Sequence, residues 1–180
     1  MERNLTHIAL FAALIAVLGL VPKIDLISGV PITAQSLGIM LCGTVLGARR
    51  GALAVLLFLG LVAIGLPLLA GGRGGLGVFV SPTAGYLVGF PLAALVAGLV
   101  VEKWRVDVGV ASFAGALLGG LGVMHLCGII GMATVLGKTL PEAAMLALPF
   151  LAGDLLKAGI AAGITRGLAR VRPASVLSRA

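Results

Sequence analysis

The chain is short of the side chains that cover a soluble protein. Charged residues make up 11% of it, where soluble domains carry about 25%. Aromatic residues are only 4%, and no basic stripe with interleaved aromatics exists, so the excess of 13 Lys and Arg over 6 Asp and Glu does not describe a nucleic-acid surface. The two cysteines, Cys42 and Cys127, and the two histidines, His7 and His125, stand apart from one another. That excludes a disulfide framework and any metal-ligand spacing. No polar stretch is long enough for a soluble domain, and no small-residue cleavage site followed by a polar mature region marks a signal peptide. Nucleotide motifs are also missing. Gly72-Arg-Gly-Gly-Leu-Gly77 spells a dinucleotide fingerprint without the strand, helix and acidic residue it needs. Gly131 to Thr139 misses a P-loop by one position, because Met132 stands where its first glycine belongs. The chain is therefore expected to hydrolyse no nucleotide, and to need no cofactor or metal.

What remains is apolar. Sixty per cent of the 180 residues are hydrophobic, 28 are glycine, and the mean hydropathy is +1.21. A membrane helix needs about 20 mostly apolar residues. Six runs qualify as candidates, near 6–21, 35–47, 51–66, 83–101, 109–136 and 142–169. The expected fold is a single all-α domain over residues 1–180, integral to the membrane, with six transmembrane helices. An even helix count puts Arg3, Arg49, Arg50, Lys103, Arg105, Arg166, Arg170, Arg172 and Arg179 on one side and Lys23, Arg73 and Lys138 on the other. Basic residues collect on the cytoplasmic side, so both termini are expected there, in a prokaryotic cytoplasmic membrane.

Two of the outward connections are not hydrophilic. Pro22–Thr33 and the Gly-rich Leu66–Thr83, between the third and fourth helices, are apolar. Irregular backbone at membrane depth is tolerated where it is buried or lines a cavity, so both read as a structured wall over an outward pocket, against the simpler reading of tucked-in connectors. Gly115-x₃-Gly119 and Gly159-x₃-Gly163-x₃-Gly167 put small residues on one helix face. Most of these are expected to serve internal packing. Ala9, Ala13 and Ala16 form a similar stripe on the first helix.

Among the six acidic residues, only Asp154 falls well inside a membrane run, and Lys157 is three positions on. Residues at i and i+3 share a helix face. A charge at the bilayer centre costs about 2.5–3.5 kcal/mol on insertion scales, and pairing seldom repays desolvation in full. A purely structural ion pair is the bland alternative, yet apolar residues would pack that face at less cost. A carboxylate that accepts and an ammonium that donates suit a small solute with an apolar body and a few polar groups.

The run Gly65–Phe90, together with Pro31-Ile-Thr-Ala-Gln-Ser-Leu37, Gly153-Asp-Leu-Leu-Lys157 and the alanine stripe, resembles the BioY family. These are biotin-binding S components of energy-coupling factor (ECF) transporters. Ser81-Pro-Thr-Ala-Gly85 stands where that family usually has Gly-Pro-Thr-Gly-Gly. The resemblance implies six helices, capture of biotin from outside, and a partner module of one transmembrane coupling subunit and two ABC ATPases. It implies Asp154 and Lys157 as the binding pair, Arg73 with Gly72 and Gly74 as loop contacts, Tyr86 and Gln35 as wall, and Ala9, Ala13 and Ala16 as the partner-docking face. A self-contained carrier or channel, and a membrane enzyme, are the alternatives. The first predicts inverted repeats and more intramembrane charge; the second needs a nucleophile–base or metal set. Neither pattern is present.

Overall fold

The structure, a computed structural model, describes residues 2–179. It is helical, and among the described residues the only β pairing is two isolated bridges. We number the helices α1 (Glu2–Leu18), α2 (Gln35–Leu46), α3 (Ala48–Ala63), α4 (Ala84–Lys103), α5 (Val108–Leu136) and α6 (Leu140–Val171). Each meets one of the six expected runs. The largest boundary shift is at α1, which begins at Glu2 instead of near 6; α3 begins before Arg49 and Arg50.

Three helices, α4, α5 and α6, are long and apolar enough to cross a membrane. The others are shorter, and α2 has only 12 residues, about 18 Å of rise against a hydrocarbon core of about 30 Å. All of α2 except Leu37 is buried, as expected of a helix that is hydrophobic on every side. It packs against α1, α3, α4 and α6. The irregular Pro22–Ala34 segment extends its path at one end.

Glycine sets the helix separation. A Cβ at Gly43 would strike the Ala94 carbonyl, and one at Gly85 would strike Cys127 and Gly131, so α2, α4 and α5 touch backbone to backbone. Gly115 and Gly119 behave likewise against Ala97 and Ala93. The α6 stripe does not. Gly159, Gly163 and Gly167 are exposed, with nothing within 4 Å of a built Cβ, which corrects the expectation of internal packing. The reason is rotational: Asp154, Ala158, Ala161 and Thr165 occupy the inward face of α6, and these glycines fall on the opposite one.

α5 is interrupted by a π-helical turn at Leu117–Val123. One extra residue per turn rotates everything downstream by about 100°, and here it leaves Met124, His125 and Gly128 facing inward. Helix ends are capped locally. Asp107 accepts from the Gly109 and Val110 amides at the start of α5, and Thr139 and Glu142 form a reciprocal capping box at the start of α6.

The basic residues segregate to two ends. Arg49, Arg50 and Arg105 line one depression, and Arg179 reaches the Trp104 and Val106 carbonyls there. At the other end Lys23 packs on Gly71 and pairs with Asp25. The side chain of Arg3, grouped with the first set from sequence, lies outside the described residues. The chain following α6 folds back onto the first end: Ser178 donates its amide to Val45 O at 3.0 Å and its hydroxyl to Thr44 O at 2.6 Å.

Candidate functional site

The site grows from one turn of α6. Asp154 is 3% exposed and faces the N-terminus of α2. Its Oδ1 accepts from Ser36 Oγ at 2.8 Å and from Lys157 Nζ at 2.9 Å. Lys157 Nζ also donates to Ser36 Oγ at 2.9 Å and to the Thr33 carbonyl at 2.7 Å. An ammonium has three donors and no acceptor, so every N–H of Lys157 is engaged within the protein. The other carboxylate oxygen, Oδ2, lies 3.5 Å from His125 Nε2. Sequence reasoning found the Asp154–Lys157 pair and missed Ser36 and His125. Neither sits near Asp154 in sequence, and only a three-dimensional fold brings them to it.

Above this cluster is a cavity enclosed by α2, α4, α5, α6 and the two irregular segments at 22–34 and 66–83. Val30, Leu69, Tyr86, Leu87, Phe90, Met124 and Phe150 make most of its wall, and Thr33, Gln35, Ser36, Arg73, Asp154 and Lys157 bring polarity. Tyr86 stacks at a tilt on Phe150, ring centroids 5.7 Å apart, and its hydroxyl is buried with no hydrogen-bond partner.

The loop between α3 and α4 supplies a further wall. A bridge joins Leu69 to Arg73, and a 3₁₀ turn runs over Leu76–Val80. Gly71, Gly72 and Gly75 have φ of 80°, 70° and 80°, the left-handed region where a side chain is strained. Arg73 reaches the cavity and donates from Nε to the Ala70 carbonyl at 3.4 Å. Burial lowers the Arg73 guanidinium pKa from its ordinary value, Asp25 opposing; an arginine stays charged regardless. Gly72 and Gly74 do not line the cavity. Gly72 is exposed, and Gly74 packs its Cα face on the Leu66 backbone. Gln35 lines it but is spent structurally: its amide donates to Ile15 O at 3.1 Å and Leu68 O at 3.0 Å and accepts from Ala70 N at 3.0 Å. That one side chain staples α1 and the loop to α2.

On α1, Ala9 and Ala13 are exposed and Ala16 is half-buried, while Ala12 and Ile15 turn inward at 3% and 0% exposure. The outward stripe is flanked by exposed Leu10 and Val17.

An all-helical bundle with a closed ion pair on the wall of a largely apolar cavity defines a membrane substrate-binding protein. Comparison with known proteins names the family. The chain belongs to the BioY family, whose model matches residues 2–174. It is 54% identical over 189 residues to the biotin transporter BioY of Rhodobacter capsulatus, across 99% of this chain and 100% of that protein. It is 50% identical over 174 residues to the biotin transporter BioY of Rhizobium etli, across 92% of each. Among solved structures, the crystal structure of the S-component for biotin from an ECF-type ABC transporter matches with a TM-score of 0.89 at 31% identity, over 94% of this chain and 92% of that one.

Proposed function

We propose that the chain captures biotin with high affinity and serves its uptake across the membrane as the S component of an ECF-type ABC transporter. The observation that carries this is the buried Asp154–Lys157–Ser36 cluster opening on an apolar cavity, in a chain so similar to biotin transporters over its full length. Biotin's fused rings match the apolar wall. Its ureido group offers two N–H donors and a carbonyl, and its tail ends in a carboxylate. Asp154 Oδ2, which is left free by Ser36 and Lys157 because both take Oδ1, is the acceptor open to a ureido N–H. Lys157 has no spare donor, so a ligand oxygen must displace Thr33 O or Ser36 Oγ from it. Tyr86 Oη is a second unspent polar atom beside the rings.

Energy comes from other chains: a transmembrane coupling subunit and two ABC ATPases. The exposed alanine stripe of α1 is the docking face for the coupling subunit, since association in lipid relies on close backbone approach. The Arg-rich end, with both termini, is cytoplasmic, which opens the cavity to the outside.

Titration calorimetry of the purified protein against biotin, thiamine and riboflavin tests the reading. Binding of biotin alone is expected; equal binding of all three, or of none, sinks it. Ala13→Trp is expected to leave biotin binding intact and to abolish co-purification with the coupling subunit and ATP-driven uptake. Loss of biotin binding in that variant places the stripe inside the protein's own packing. With Cys42 and Cys127 replaced, single cysteines at positions 73 and 138 are expected to react with an impermeant maleimide on intact cells, and those at 50 and 103 to stay unlabelled.

A further inference from the structure

His125 is a buried ionisable side chain that the proposed binding does not use. It is 4% exposed and does not line the cavity. It stands behind Asp154, enclosed by the rings of Tyr86 and Phe150 at centroid distances of 5.7 and 6.1 Å. Its two nitrogens face two acceptors. Nδ1 is 3.3 Å from the Gly120 carbonyl, and Nε2, buried without a hydrogen-bond partner, stands 3.5 Å from Asp154 Oδ2. A neutral imidazole has one N–H and one lone pair, so it can satisfy only one of these neighbours and must point a lone pair at the other. At 4% exposure the ring has little access to solvent that would resolve the conflict. A proton on each nitrogen resolves it.

We infer that His125 is a positioning residue for ligand capture: held by the Gly120 carbonyl of the π turn, it donates from Nε2 to Asp154 Oδ2 and fixes the carboxylate that receives the ligand. The groups around it are Tyr86 on α4 and Asp154 and Lys157 on α6, with Ser36 from α2 on the far carboxylate oxygen. Ser36 and Lys157 hold one oxygen of Asp154 and His125 backs the other, so the carboxylate cannot turn about its own bond. The π turn supplies the geometry, because it sets the face on which His125 lies and carries the carbonyl that orients the ring. The role rests on the biotin reading only for its ligand; the proton arrangement stands without it.

A double-mutant cycle tests the inference with biotin as probe. His125→Leu is expected to weaken binding roughly tenfold, about one decade per 1.4 kcal/mol, in the Asp154 protein. In an Asp154→Asn background the same change is expected to cost less than about twofold, because coupled residues are not additive. His125→Gln, which keeps an N–H donor, is expected to retain most of the affinity. Losses that multiply, or a glutamine variant as weak as the leucine one, overturn the role. Nitrogen-15 spectra of the ligand-free protein, with His7→Asn leaving His125 as the one histidine, give a readout that needs neither folding of the leucine variant nor biotin. Both ring nitrogens are expected to carry protons in the Asp154 protein and only one in Asp154→Asn, where a carboxamide N–H donates to Nε2. A singly protonated ring in both also overturns the inference. A protein that shows the doubly protonated ring and binds no biotin refutes the assigned ligand, and leaves this arrangement standing.

Discussion

Two ion pairs that involve α6 differ in everything except their charges. Asp154–Lys157 has its side chains 4% and 16% exposed, closes at 2.9 Å and shares hydrogen bonds with Ser36 and Thr33. Asp107–Arg166 is 46% and 50% exposed, stands at 3.5 Å, and serves mainly to cap α5. The exposed pair costs little to keep and contributes little, since such contacts are worth at most about 1 kcal/mol. The buried pair had to be stripped of water, and its attraction seldom recovers that cost. A structure retains it where the charges are needed for something that arrives later.

Breaking the buried pair is expected to have the largest effect. Asp154→Asn keeps size and removes the anionic acceptor, with a charge-assisted hydrogen bond worth about 1.5–3 kcal/mol. Biotin affinity measured by calorimetry is expected to fall roughly ten- to a hundredfold per bond lost; an unchanged affinity makes the pair structural after all. Ser36→Ala is expected to be milder, roughly three- to tenfold, because Lys157 still serves Oδ1. If Ser36→Ala equals Asp154→Asn in effect, the hydroxyl itself meets the ligand. Arg166→Ala should do least. Biotin affinity within twofold of the parent, and a thermal midpoint shifted by no more than about 1 kcal/mol of stability implies, are expected. A large loss there would erase the contrast between the two pairs.

Much of this could be read from the residues in order. Hydropathy marked six helices within a few residues, and the charge segregation of the loops reappears as two ends of one bundle. Asp154 and Lys157 share a helix face by spacing alone, so their pairing was legible. Ser36 lies 118 positions from Asp154, and a serine in an apolar run carries no signal of what it meets. His125 was hidden for a second reason: its inward direction depends on the π turn, which leaves no mark in hydropathy. Glycine stripes have the same weakness. Gly115-x₃-Gly119 and Gly159-x₃-Gly163 are identical as patterns, yet one packs on α4 and the other faces outward. Spacing defines a face; only the neighbours decide which way it turns.

The fold-back at Ser178 bears on how the protein is made. α2 ends with carbonyls at Thr44 and Val45 that are satisfied by Ser178, which lies 134 positions after Thr44. Translation at 5–20 residues per second separates the two by roughly 7–27 s. During that interval the two carbonyls lack their final partners and must turn to water or remain unpaired. The helix that presents Ser36 to the site thus gains its last partners only after residue 178 has been made. Residues 176–178, far from the cavity, become the place where a substitution would most readily lower the yield of inserted protein while leaving the affinity of the surviving molecules unaltered.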